Sequence, residues 1–341
     1  MIKRYGECTF FIYLIDRNYK TIFFKKSLIH NHIYMELTEQ QVCAIDDFVL
    51  YKKNVLVQAV PGAGKSTLLV EVCKSFIGNI LVMAYNTELC EELSDLIKKN
   101  NLEHRVQCYT FHSLCSNHIQ LSPDDITFRM AIENLKCGVV DAEPIIVDAV
   151  LIDEVQDLKD LYVEMINMVV KGAPQFFLCG DYNQMLYNFD PDSMANLEIM
   201  KTPGKYFIKN NLSWSFKECN ISHRITHNMS TLVNSTFDTN IKSSKNHGPK
   251  VIVRCPNKWK IAQEIIKHIS KEDMNNTLLL TPTKNGNRPL KILLNTLSEQ
   301  GYFLHINSSD IKTDFRTKNG KLEVNTFHSS KGRQMKNVIV L

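Results

Sequence analysis

From residue 54 onward, short runs of consecutive apolar residues alternate with longer stretches whose apolar positions recur at helical spacing. The runs 54–60, 79–84, 149–152 and 175–179 read as buried strands. The stretches 65–76, 87–98 and 158–170 read as helices. Buried strands alternating with helices predict a parallel sheet covered on both faces. The pattern lapses around 200–220, at Thr202, Pro203 and Gly204, which marks a candidate linker. It then restarts, with helices over 223–236, 259–269 and 290–299 and strands over 250–254, 277–280, 322–324 and 337–341. A second α/β domain follows, with an exposed loop over 307–320.

Two segments carry candidate chemistry. The first runs from Ala59 through Val60, Pro61, Gly62, Ala63 and Gly64 to Lys65, Ser66 and Thr67, between a predicted strand and a predicted helix. Such a loop turns backbone N–H groups toward phosphates at a helix N-terminus. Lys65 would neutralise the β- and γ-phosphates of a nucleotide, and the Ser66 hydroxyl would ligate Mg²⁺. The second is Val150–Asp157, an apolar strand that delivers Asp153 and Glu154 at its C-terminal end, the edge where open α/β sheets bind ligands. Asp153 would hold Mg²⁺ and Glu154 would polarise the attacking water. Alone, the two acids could cap the next helix. Paired with the phosphate loop, the catalytic reading is the stronger.

In these segments and six others, the chain from residue 37 to 341 resembles the superfamily 1 helicases of the UvrD/Rep type. Leu37–Gln41 resembles the Q motif, which implies an adenine contact for Gln41. Asp153–Asp157 resembles the acidic box, and Gly180–Tyr187 resembles motif III, whose glutamine senses the γ-phosphate, here Gln184. Ile221–Ile225 resembles motif IV. That likeness implies that Arg224 reaches the γ-phosphate across a domain cleft and that His223 stacks on the base. Thr326–Gly332 resembles motif V, with Gly332 near the nucleotide and His328 near the strand. Residues 80–87 and 110–113 resemble motifs Ia and Ib, which assigns strand contacts to Tyr85, Thr110 and His112. Tyr187 and Phe189 fall where the family stacks bases on aromatic rings.

The resemblance implies an α/β fold of two RecA-like P-loop domains with parallel sheets covered by helices. The first would span 37–211, with a small insertion at about 115–147; the second would span 212–341, after an N-terminal extension over 1–36. It implies ATP and Mg²⁺ as cofactors and single-stranded DNA, or a forked duplex, as partner. The alternative is an ATP-gated nucleic-acid-binding module with weak ATPase. Three departures stand out: Asn188–Pro191 lacks the arginine expected after motif III, Gln334 replaces a ribose-holding glutamate, and no motif VI arginine follows motif V before Leu341. A polypeptide supplying motif VI is therefore an expected partner, and weak hydrolysis is expected of the chain alone.

Charge adds to this picture. Residues 201–341 carry 23 Lys and Arg against 9 Asp and Glu, whereas residues 1–200 carry 17 against 27. A basic half of that size suits a polyanion. The 10 cysteines include no C-x-x-C pair, which favours reduced thiols and an intracellular, reducing compartment such as cytoplasm or nucleus. No apolar run reaches the length of a membrane span, so no membrane partner is expected. The apolar stretch 8–15 is short, is followed by Asp16 and has no small-residue cleavage site, so it reads as a strand or as unstructured sequence and not as a secretory signal.

Overall fold

The computed structural model describes residues 10–14, 37–119, 125–185, 195–245, 247–248, 252–254, 261–268, 270–283, 288–306, 321–327, 330, 335 and 337–341. The chain forms two compact units. One comprises Ser27–Ile225 with the returning segment Asn240–Ser244; the other comprises Met1–Lys26, Thr226–Thr239 and Lys245–Leu341.

The first unit is built on a parallel six-stranded sheet in the order Val106–Thr110, Ile80–Ala84, Ala149–Ile152, Gln175–Gly180, Asn54–Ala59, Trp214–Cys219. Strand alternation divides its apolar residues between two cores. Leu56, Leu81, Met83, Phe176 and Leu178 join one core with Phe111, Phe128 and Tyr162. Val55, Val57, Ile80, Val82 and Phe177 join the other with Phe48, Leu68 and Leu69. Both faces are covered, which is why these strands are continuous apolar runs.

The edge strands were not legible in that way. Trp214–Cys219 falls where the hydrophobic pattern lapses, yet it pairs along its whole length with Asn54–Ala59. It has one partner strand, and its Ser215, Lys217 and Glu218 break any apolar run. Helix Glu39–Val49 packs beside it, starting at a capping box between Thr38 and Gln41. Buried Asp47 on that helix pairs with Lys217 at 2.8 Å and also meets Ser215. The expected boundary at 211/212 thus precedes a strand of the first sheet, and the first unit continues to Ile225.

The second unit holds a six-stranded sheet in the order Ile252–Arg254, Phe10–Leu14, Asn337–Val340, Thr277–Thr281, Leu322–Thr326, Leu304–Ile306. Its core gathers Ile265, Leu279, Leu293, Leu297, Leu322, Val324 and Ile339. The strand pairs of residues 277–340 are parallel, as expected. Phe10–Leu14 runs antiparallel to both neighbours, so the sheet is mixed.

That strand corrects the reading of residues 1–36 as a separate extension. It fills the gap between Ile252–Arg254 and Asn337–Val340, and removing it opens two edges at once. A chain starting at Met35 should lose on the order of 4 kcal/mol or more from the second unit, at roughly 1 kcal/mol net per ladder hydrogen bond. Thermal unfolding of the two chains checks this; identical transitions would show the strand to be dispensable.

Candidate functional site

The phosphate loop leaves strand Asn54–Ala59 and enters helix Lys65–Ser75. Gly62 and Gly64 take positive φ, 76° and 80°, and Gly64 is the helix N-cap. Gln41 is buried against this loop, its amide donating to the Ala63 carbonyl at 3.0 Å while its oxygen accepts from Thr38. The residue expected at the adenine is thus placed at the loop backbone.

At the head of the helix, Lys65 Nζ lies 3.3 Å from a Glu154 carboxylate oxygen. Burial alone would lower the lysine pKa; Glu154, Asp153 and Asp181 outweigh it, and the net shift is upward. Lys65 therefore stays a cation at neutral pH. Asp153 is buried and accepts from the Glu154 backbone N–H at 2.8 Å. Glu154 itself sits at φ 51°, a left-handed conformation uncommon for a residue with a side chain. Strain of that kind, of order 1–3 kcal/mol, gathers at functional sites.

A hydrogen-bonded chain continues from Glu154. Gln156 donates to Glu154 at 2.5 Å and accepts from the Asp181 backbone N–H at 2.9 Å. Asp181 accepts from Gln184 at 2.7 Å and from Gln58 at 2.7 Å. The sequence reading picked out Glu154 and Gln184 but missed Gln156, Asp181 and Gln58 as their connectors. Their signal was polar residues at or just beyond the ends of buried strands, which must find partners.

Arg224 belongs to this same unit, so it is not delivered from a second domain as the resemblance implied. The reason is the edge strand: after Cys219, whose carbonyl accepts from Val60 N–H, the chain runs alongside the phosphate loop. Ser222 Oγ donates to the Pro61 carbonyl at 2.7 Å, and the His223 N–H donates to the Gly62 carbonyl at 2.9 Å. Parallel pairing of Ile221–Ser222 with Lys242–Ser243 holds the segment. Burial pulls the Arg224 pKa down while Glu92 and Glu154 oppose the shift. The guanidinium remains charged. His223 is exposed, with its Nδ1 3.1 Å from Ser244 Oγ.

The candidate strand-binding residues are placed less favourably. Tyr85 is half-buried and packs against the first core. The Thr110 hydroxyl accepts from Ser113 N–H at 3.0 Å, a helix-capping contact at Phe111–Ile119. His112 packs against Phe128 and Tyr162, at ring distances of 5.3 and 6.1 Å. Tyr187, Phe189, His328 and Gly332 lie outside the described residues.

The family model described as an AAA domain matches residues 41–190. The phosphate loop, both acids, Gln156, Asp181 and Gln184 all lie inside the matched residues, and Ser222–Arg224 reach the phosphate loop from outside them. The domain match agrees with the P-loop reading of these segments and does not single out the UvrD/Rep branch. No curated protein matches the chain significantly. Among solved structures, it is similar to a Pif1 helicase from Bacteroides in complex with ADP-AlF3 and ssDNA, at 15% identity and TM-score 0.44. That alignment covers 82% of this chain and 63% of the Pif1 chain. A similar likeness holds to S. cerevisiae Dbp5 bound to ADP, at 10% identity and TM-score 0.42, covering 86% of this chain and 72% of that one. The helicase nonstructural protein 10 of an arterivirus, in complex with DNA, is 11% identical with TM-score 0.41, covering 84% and 62%. The chain thus spans under two thirds of the Pif1 and arterivirus proteins. Among the described residues no helix is long and apolar enough to cross a membrane.

Proposed function

We propose that this chain is an ATP-driven motor on single-stranded nucleic acid, coupling hydrolysis of the β–γ phosphoanhydride to movement along the strand. The observation that carries this reading is the pairing of Lys65 with Glu154 beneath a glycine loop, with Asp153, Gln184 and Arg224 in the same compact unit. The donor set fits Mg²⁺: the buried Asp153 carboxylate and the Ser66 hydroxyl at the helix start are hard oxygen ligands. Bound there with ATP, the ion would neutralise charge on the β- and γ-phosphates. Lys65 binds the same phosphates as a fixed cation. Glu154 accepts the proton of the attacking water. Gln184 orients the γ-phosphate or that water, and Arg224 stabilises charge on the transferring group.

The test is ATPase activity of the purified chain with and without single-stranded DNA. Hydrolysis that rises several-fold with DNA supports the motor; nucleotide binding without hydrolysis would replace it by a nucleotide-gated binding module.

The basic composition of residues 201–341 favours contacts to the phosphodiester backbone, which carry no sequence information. Single-strand affinity should then fall steeply with salt, with a log–log slope of about −0.7 per neutralised phosphate. Fluorescence anisotropy across a salt series measures it. A flat response would remove the electrostatic argument.

A further inference from the structure

We infer that Gln58 is a positioning residue of the ATPase site: its side-chain amide fixes Asp181, and through Asp181 it sets Gln184 and, by way of Gln156, Glu154. This inference rests on the proposed ATPase reading and deepens it.

Gln58 is the fifth residue of strand Asn54–Ala59, one position before the residue that opens the phosphate loop. Its neighbours Val55, Leu56, Val57 and Ala59 are buried and apolar. A polar side chain at such a place is costly unless both ends of its amide are bonded. Both are. Nε2 donates to Asp181 Oδ1 at 2.7 Å, and Oε1 accepts from the Tyr182 backbone N–H at 3.2 Å. Sheet register makes this possible, since Gln58 stands opposite Gly180, the residue before Asp181.

Asp181 is the junction. It is 1% exposed, so its carboxylate depends on protein donors. Oδ1 takes Gln58 and the Asn183 N–H, while Oδ2 takes the Gln184 amide at 2.7 Å. The Asp181 backbone N–H donates to Gln156 Oε1, and Gln156 Nε2 reaches Glu154. Gln58 is therefore the point at which the strand leading into the phosphate loop is bonded to the residues proposed to sense the γ-phosphate and to activate water.

With Gln58→Met, which keeps volume but not hydrogen bonds, Asp181 loses a donor and Gln184 loses its fixed anchor. The expected result is a fall in kcat of about tenfold, the scale of one lost bond to a charged group. KM for ATP and affinity for a non-hydrolysable analogue should stay within about twofold, since no phosphate contact is removed. In an Asp181→Ala background, the same substitution should have almost no further effect, because its route to the site is already cut. Gln58→Glu combined with Asp181→Asn exchanges donor and acceptor and should recover part of the activity lost by Gln58→Glu alone. Circular-dichroism melting of each variant checks folding, and the exchange pair provides the reading should Gln58→Met unfold. An unchanged kcat, equal losses in both backgrounds, or no recovery in the exchange pair would overturn the inference while leaving the ATPase reading intact. A parent chain that binds the analogue but never hydrolyses ATP would overturn both.

Discussion

Glu154→Gln is expected to reduce ATP turnover by about 10²–10⁴, the usual contribution of a positioned general base, while nucleotide affinity is kept or increased. The sign of the binding effect follows from the charges around Lys65. Three carboxylates, on Glu154, Asp153 and Asp181, hold that lysine protonated against the effect of burial. Removing one negative charge leaves two to do so and lowers the repulsion met by an incoming triphosphate. The substituted amide keeps an oxygen that can accept from Gln156, so the local chain of hydrogen bonds can persist. Lys65→Ala does the reverse. It removes the cation that pairs with Glu154 and would meet the β- and γ-phosphates, and binding itself should weaken. Calorimetric titration with a non-hydrolysable analogue, beside a turnover assay, separates the two roles. Equal loss of affinity in both variants would show that Glu154 serves binding and not water activation.

What could be read in advance follows from where each signal is stored. The phosphate loop and the acidic box are each an unbroken run of the chain at the end of a buried apolar strand, so Lys65, Asp153 and Glu154 were legible without tertiary contacts. Arg224 was legible as a residue but not in its place. Its position depends on Trp214–Cys219 joining the first sheet, and that strand, being an edge, is half polar. Gln41 was assigned a ligand by resemblance, whereas Thr38 three residues before it was a local signal of a helix start. Thr110 and Ser113 carry a similar capping signature. Gln58 could not be singled out, because its partner Asp181 lies 123 residues away. The strand Phe10–Leu14 is short and isolated in sequence, and only its two antiparallel partners reveal its place.

Arg224→Ala should lower hydrolysis by about 10³ or more, the scale associated with a missing arginine finger, and Gly62→Ala should reproduce a large part of that loss. The second claim is geometric. Gly62 has φ 76°, which a residue with a Cβ adopts only under strain. A Cβ there would also lie 2.8 Å from Ser222 Oγ and in collision with the Arg224 Cβ. Neither obstacle is the far end of a flexible chain. Ser222 Oγ is bonded to the Pro61 carbonyl, and the Arg224 Cβ is attached to a backbone fixed one residue earlier by the His223 N–H on the Gly62 carbonyl. The segment 222–224 must therefore move away from the loop, taking the guanidinium with it. Arg224→Lys keeps a charge but loses the planar fork, so it should fall between the parent and Arg224→Ala. Turnover rates of the three variants, beside affinity for a non-hydrolysable analogue, decide the matter. Arg224→Ala should keep most of its affinity, whereas Gly62→Ala should lose some, because its own loop is strained. Full turnover in Gly62→Ala would mean that the close packing of Arg224 on the phosphate loop is incidental to the chemistry.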